Sequence, residues 1–201
     1  MTPVDSTERS SDSTTDHIVR ALENACLIVD HIEESRLGIP SVCAGWDVRA
    51  ELSHLLGGIE TTVRILNGGG VGHEPVSDWL GNDHRAVFRF AAGRDCAAWT
   101  RPGVLEAAVG LPFGAVSGRF AALFHLTEIV VHSCDLAVAT GQEQYVDQQG
   151  ATRLLKILQA TDLDGFRRPG GFGAELAAPA GAKPHSQLLA FLGREIVSAQ
   201  E

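Results

Sequence analysis

The sequence predicts a mainly all-α domain, and three observations carry the prediction. Most apolar residues recur at three- and four-residue steps over long stretches, the period of a helix with one buried face. One stretch of helix length, RFAALFHLTEIVVHSCDLAVATG at residues 119–141, is almost uniformly apolar, as the central helix of a bundle is. Only short segments read as extended. The chain has 201 residues, of which 44% are hydrophobic, enough for one well-buried core.

Residues 1–15 are mostly Ser, Thr and Asp, with too little apolar surface to offset the entropy of ordering, and read as a disordered tail. A single domain then spans residues 16–201. From Asp16, the residues Ile18, Ala21, Leu22, Ala25, Ile28, Val29 and Ile32 mark a first helix running to Leu37-Gly38. Asp47 is the N-cap of a second helix, with Val48, Leu52, Leu55, Leu56, Ile59 and Val63 as its stripe. His54 lies beside that stripe. Gly57-Gly58 leaves room for a close approach by another backbone or a ligand.

Residues 67–82 form a Gly-rich loop without the pattern of a phosphate-binding fingerprint; it reads as a surface insertion or as a flap over a pocket. A third helix follows from Asp83 to Trp99. VLEAAVGLPFG then reads as a short hairpin across the mouth of the bundle. The apolar fourth helix comes next, then a fifth over residues 148–159. FGAELAAPAG is an extended segment, and HSQLLAFLGRE a short C-terminal helix.

The formal net charge of -9 excludes a basic nucleic-acid or anionic-membrane surface. Lys156 and Lys183 are the only lysines, an Arg-rich skew that says nothing about fold. No run of about twenty uninterrupted apolar residues marks a membrane span, and no signal peptide is visible, so the expected location is cytoplasmic. Cys26, Cys43, Cys96 and Cys134 form no CxxC pair and read as small buried hydrophobes or idle thiols.

The chemistry sits on the fourth helix. At 100° per residue His125, Glu128 and His132 share one face. Burying an ionised carboxylate among Leu, Val and Ile costs several kcal/mol unless a partner offsets it. A divalent metal is one such partner, and bundles hold metals with carboxylate and imidazole at this spacing. Mutual hydrogen bonding with nearby backbone is the other reading. In a bundle, the inward His54 of the second helix faces the fourth. His54, Glu128 and His132 then make a three-ligand set with one position open, the catalytic rather than the structural pattern. The donors suit zinc, nickel or iron. His125 lines the pocket, or serves as a fourth ligand or general base. Asp135 is either the acceptor for a ligand histidine's free N–H or an ordinary buried polar residue. Arg119 is either an anion clamp or a surface arginine.

CAGWDVRAELSHLLGG and TEIVVHSCDLAVATGQ resemble the paired motifs of the DinB-like metal-binding proteins, and LLAFLGRE resembles the ending of one subgroup. That subgroup is related to the N-terminal domain of mycothiol-dependent maleylpyruvate isomerase. The resemblance covers residues 16–195. It implies an up-down-down-up four-helix bundle with a divalent metal at one end, on His54, Glu128 and His132. It also implies a low-molecular-weight thiol such as mycothiol as cosubstrate, activated by the metal for S-transfer or isomerisation of a small electrophile. Two departures stand out. The isomerase carries a second, C-terminal domain that this sequence does not include, which speaks against the same substrate. Asp47 replaces the usual Thr at the cap, a conservative exchange.

The expected function is therefore that of a metal-dependent, thiol-using transferase or isomerase. The alternative is a non-enzymatic metal- or small-molecule-binding bundle acting as sensor, carrier or partner protein. The expected partner is a small molecule, with no nucleic acid and no membrane. The apolar faces of the first and third helices leave a homodimer open.

Overall fold

The computed structural model describes residues 13–70, 79–111, 114–168 and 171–196. Among the described residues six α-helices carry the fold: α1 (Thr14–Asp30), α2 (Val48–Leu66), α3 (His84–Trp99), α4 (Gly118–Thr140), α5 (Gln148–Gln159) and α6 (Pro184–Phe191). Two short strands, β1 (Ala108–Leu111) and β2 (Gly114–Ser117), pair antiparallel with Val109 opposite Val116.

The chain starts its helices with local chemistry. Ser13 forms a capping box with Asp16 at α1. Asp47, Asp83, Ser117 and Asp147 each accept from a backbone N–H in the first turn of α2, α3, α4 and α5. Pro184 opens α6, where its missing N–H costs nothing.

α1 and α2 each pack against both α3 and α4, so the four close into a ring in the order α1–α3–α2–α4. Ile18, Leu22, Leu56, Phe88, Trp99 and Ile129 fill it and are essentially inaccessible to solvent. Each such side chain contributes about 1.5–3 kcal/mol of burial. The β1–β2 hairpin lies against α2 and α4, and α5 and α6 pair with each other beside α4. By length and composition α4 would suffice to cross a membrane, yet 78% of its most apolar window is buried inside the protein. It is the core helix of the bundle. Leu27 on α1 and Phe90 on α3 are exposed.

Three boundaries differ from the sequence reading. α1 begins at Thr14 rather than Asp16, because Ser13 caps it. It stops at Asp30, well before Leu37-Gly38. The Ile32 carbonyl there accepts from the Arg85 guanidinium at 2.6 Å and the His84 ring at 3.1 Å instead of continuing the helix. The C-terminal helix ends at Phe191, because Gly193 turns the chain at φ +80°. Residues 1–12, the centre of the Gly-rich loop at 71–78 and the hairpin turn at 112–113 lie outside the described residues.

Candidate metal centre

The middle of α4 faces the start of α2, and here the polar residues converge. One ligating atom each from His54, Glu128 and His132 lies within 4.8 Å of the others. His54 Nε2 is 3.4 Å from Glu128 Oε2, and His132 Nε2 is 3.6 Å from the same oxygen. A charge-assisted hydrogen bond closes to about 2.7–2.9 Å. Ligand atoms around a tetrahedral ion with bonds of about 2.0–2.1 Å stand about 3.3–3.5 Å apart. The His54–Glu128 contact is a long hydrogen bond, the same spacing suits ligand atoms around one ion, and two imidazoles with a carboxylate are a donor set that a divalent metal accepts.

The three side chains set one another's charge state in the metal-free protein. Burial pushes the Glu128 carboxyl up, but the hydrogen bonds to His132 and His54 outweigh it and hold it well below the usual carboxylate range. Burial pulls His132 down, and the surrounding Asp135, Glu128 and Glu51 carboxylates outweigh that and hold it well above 6.5. Exposure is graded across the cluster, with 45% of the His54 side chain open to solvent, 31% of Glu128 and 7% of His132. One side of the cluster is therefore open to an incoming ligand.

His132 is oriented from behind. Its Nδ1 lies 2.8 Å from Oε1 of Glu51, a carboxylate with no solvent exposure on α2. Nδ1–H donates to that oxygen, which fixes the tautomer and turns Nε2 toward Glu128 and His54. Ser41 donates to the other oxygen of Glu51. Burial pushes the Glu51 carboxyl up, and the bond from His132 works against that.

Asp135 lies farther from His132 Nδ1, at 3.5 Å, and accepts from Arg194 Nε at 3.4 Å. Cys43, Glu51 and Asp135 also approach within 4.8 Å of one another. Glu51 is committed to His132 and Ser41, and Asp135 to Arg194, so this group backs His132. Trp46, just before the Asp47 cap, stacks on His132 at 5.9 Å and tilts over His54 at 4.7 Å.

Sequence reasoning missed Glu51 and Arg194. Glu51 had a signal: it sits at the three- and four-residue steps of the α2 stripe, between Val48 and Leu55, where a carboxylate must be paired. Arg194 had none, since the turn at Gly193 aims it. Of the pocket candidates, His125 lines a cavity but bonds Asp95 and Thr62 rather than joining the cluster. Arg119 pairs with Glu106 at 2.7 Å, both side chains mostly exposed, and stands on the surface.

Two cavities meet at the cluster, and Trp46, His54, Phe124 and Glu128 line both. One, of about 930 Å³, runs between α2 and α4 under the hairpin with mainly apolar walls. The other, of about 1310 Å³, is flanked by Arg167, Arg168 and Arg194. At Gly57 the close approach is made by a side chain rather than by a backbone or a ligand, and Gly58 faces open space. The indole of Trp79 lies against it, so that a Cβ there would sit 3.0 Å from Trp79 Nε1.

Fold and cluster together define a helical bundle with a candidate two-histidine, one-glutamate metal centre. The chain belongs to the family of the uncharacterized protein Rv0738 of Mycobacterium tuberculosis (strain ATCC 25618 / H37Rv). It is 31% identical to that protein over 179 residues, 88% of this chain and 95% of the relative. The same figures hold for uncharacterized protein MT0763 of Mycobacterium tuberculosis (strain CDC 1551 / Oshkosh). No family model matches the chain. The crystal structures of the mycothiol-dependent maleylpyruvate isomerase and of a histidine-to-alanine mutant of it each match with a TM-score of 0.54 at 13% identity. The match covers 71% of this chain and 68% of theirs. This likeness shows a related, mainly α-helical fold.

Proposed function

We propose that this chain is a DinB-like, divalent-metal-dependent enzyme. Its reaction is the use of a low-molecular-weight thiol of the mycothiol type for S-transfer to, or isomerisation of, a small electrophile. The observation that carries the reading is the convergence of His54, Glu128 and His132 at metal-ligand spacing, with His132 oriented from behind by Glu51. Zinc is the metal that suits the set most simply, with nickel and iron chemically acceptable. Bound there, the metal supplies a Lewis acid that lowers the pKa of a coordinated thiol.

The residues divide the remaining work. Glu128 brings the negative charge and His54 the solvent-facing nitrogen. Glu51 and Ser41 hold His132 in one tautomer. Trp46 flanks both histidines and limits how a ligand approaches. Two cavities meeting at one point give room for two reactants arriving from different sides. The maleylpyruvate isomerase structures, whose fold is related, lend the thiol its type. The reading carries a cytoplasmic setting with it, where such a thiol stays reduced.

The test is elemental analysis of protein purified without a metal-affinity tag, beside Glu128→Ala. About one zinc, nickel or iron per chain, lost in the variant, is the expected result. Metal in neither protein, and none taken up on reconstitution, overturns the reading. A loaded protein that consumes no thiol with any electrophile is a binding bundle rather than an enzyme.

A further inference from the structure

One cluster has no part in the metal centre. Asp95 on α3, His125 on α4 and Thr62 on α2 form a chain of polar atoms through the bundle. His125 Nε2 is 2.5 Å from Asp95 Oδ2, and His125 Nδ1 is 3.2 Å from Thr62 Oγ1. Asp95 has no solvent exposure, and its other oxygen has no hydrogen-bond partner among the described residues. It is thus devoted to His125. The Trp99 ring stacks on His125 at 5.7 Å and holds the imidazole in plane.

The chemistry fixes the direction of the first bond. An ionised carboxylate only accepts, so His125 Nε2 carries the proton. His125 Nδ1 and the Thr62 hydroxyl share the second hydrogen bond of the chain. Whichever of the two donates, the Thr62 oxygen keeps a lone pair free to accept from a donor in the cavity. Thr62 is half-buried and, with His125, lines the 930 Å³ cavity. The walls around them are Ile59, Ile65, Val109, Leu111 and the two tryptophans Trp79 and Trp99. Ligand sites have this composition, apolar walls with a few fixed polar groups. His125 and Glu128 are three residues apart on α4, about 4.5 Å along the axis. A molecule seated here therefore reaches the metal cluster with its other end.

We infer that this end of the cavity is a recognition subsite for the hydroxyl, or equivalent hydrogen-bond donor, of a largely apolar, ring-sized ligand, read by Thr62 through His125 and Asp95. As a ligand site it stands on this geometry. As the electrophile's subsite it rests on the metal–thiol reading above.

The test compares 2-naphthol with 2-methoxynaphthalene, which has the same rings and oxygen but no donor, by calorimetric titration. Wild type binds 2-naphthol about three- to tenfold more tightly. Thr62→Val, checked for an unchanged circular dichroism spectrum and Tm, brings the two within twofold, and Thr62→Ser restores the preference. The preference persists in protein treated with a metal chelator, so the subsite and the metal reading fail separately. Equal binding of the two probes by wild type, binding of neither, or a preference that survives in Thr62→Val overturns the inference.

Discussion

Glu51 Oε1 lies 2.8 Å from His132 Nδ1, a buried link between α2 and α4 across 81 residues of sequence. It joins the helix that carries His54 to the helix that carries Glu128 and His132, at the level of the cluster. Glu51→Gln keeps the shape and removes the charge. Metal affinity is expected to fall about 10–100-fold, the usual loss when the carboxylate behind a ligand histidine is removed. A chelator competition titration measures it. An affinity equal to wild type would show that Glu51 does not orient a ligand.

Metal uptake is expected to depend on pH in one direction. The carboxylates around His132 hold its pKa well above 6.5, so in the metal-free protein the ring keeps a proton near neutrality. A metal must displace that proton. Affinity therefore rises with pH, about tenfold per unit while the pH is below the raised value, and levels off above it. The ion pairing of a raised-pKa histidine has the opposite course. Its contribution to metal-free stability is present in full at low pH and lost as pH rises through the folded value. Calorimetry in buffers of different ionisation enthalpy counts the protons released. None released between pH 6 and 7 would contradict the assignment.

The adjacent glycines of α2 are expected to answer differently to alanine. A Cβ at Gly58 meets open space, and Gly58→Ala gains about 0.5–1 kcal/mol of helix stability. At Gly57 the same Cβ sits 3.0 Å from the Trp79 indole, which must give way. Gly57→Ala is expected to lose that gain and to shift tryptophan fluorescence. Thermal melts of the two variants side by side decide it; equal stabilisation would mean that Trp79 does not pack there.

Gly193 is placed by two constraints. Its φ is +80°, and a Cβ would come within 2.6 Å of the Ala174 carbonyl oxygen. Gly193→Ala is expected to cost about 1–3 kcal/mol, measured by urea denaturation. Because this turn delivers Arg194 to Asp135, metal affinity is expected to fall with it. A variant with wild-type stability would show that the turn tolerates a side chain.

The two ends of α4 and the start of α2 were legible because their signals are local. Asp47 caps the helix that it precedes, and Gly141 ends α4 at φ +69°. Gly193 was not read as a stop, since LLAFLGRE keeps its apolar content past the point where the backbone turns. The partners of His125 were hidden for a related reason. Asp95 and Thr62 are ordinary polar residues on their own helices, 30 and 63 positions away from it.

The sequence by itself determined the mainly helical class, the Asp47 cap that begins α2 and the face of α4 on which His125, Glu128 and His132 fall. These follow from periodicity and hydrogen bonds within a few residues. Only the tertiary structure decided which polar groups meet. It gave His132 to Glu51, Asp135 to Arg194 and His125 to Asp95 and Thr62, and it opened cavities on two sides of the cluster. The physical reason is that a buried polar group must be paired, while its partner is set by how helices distant in sequence pack, which no local pattern encodes.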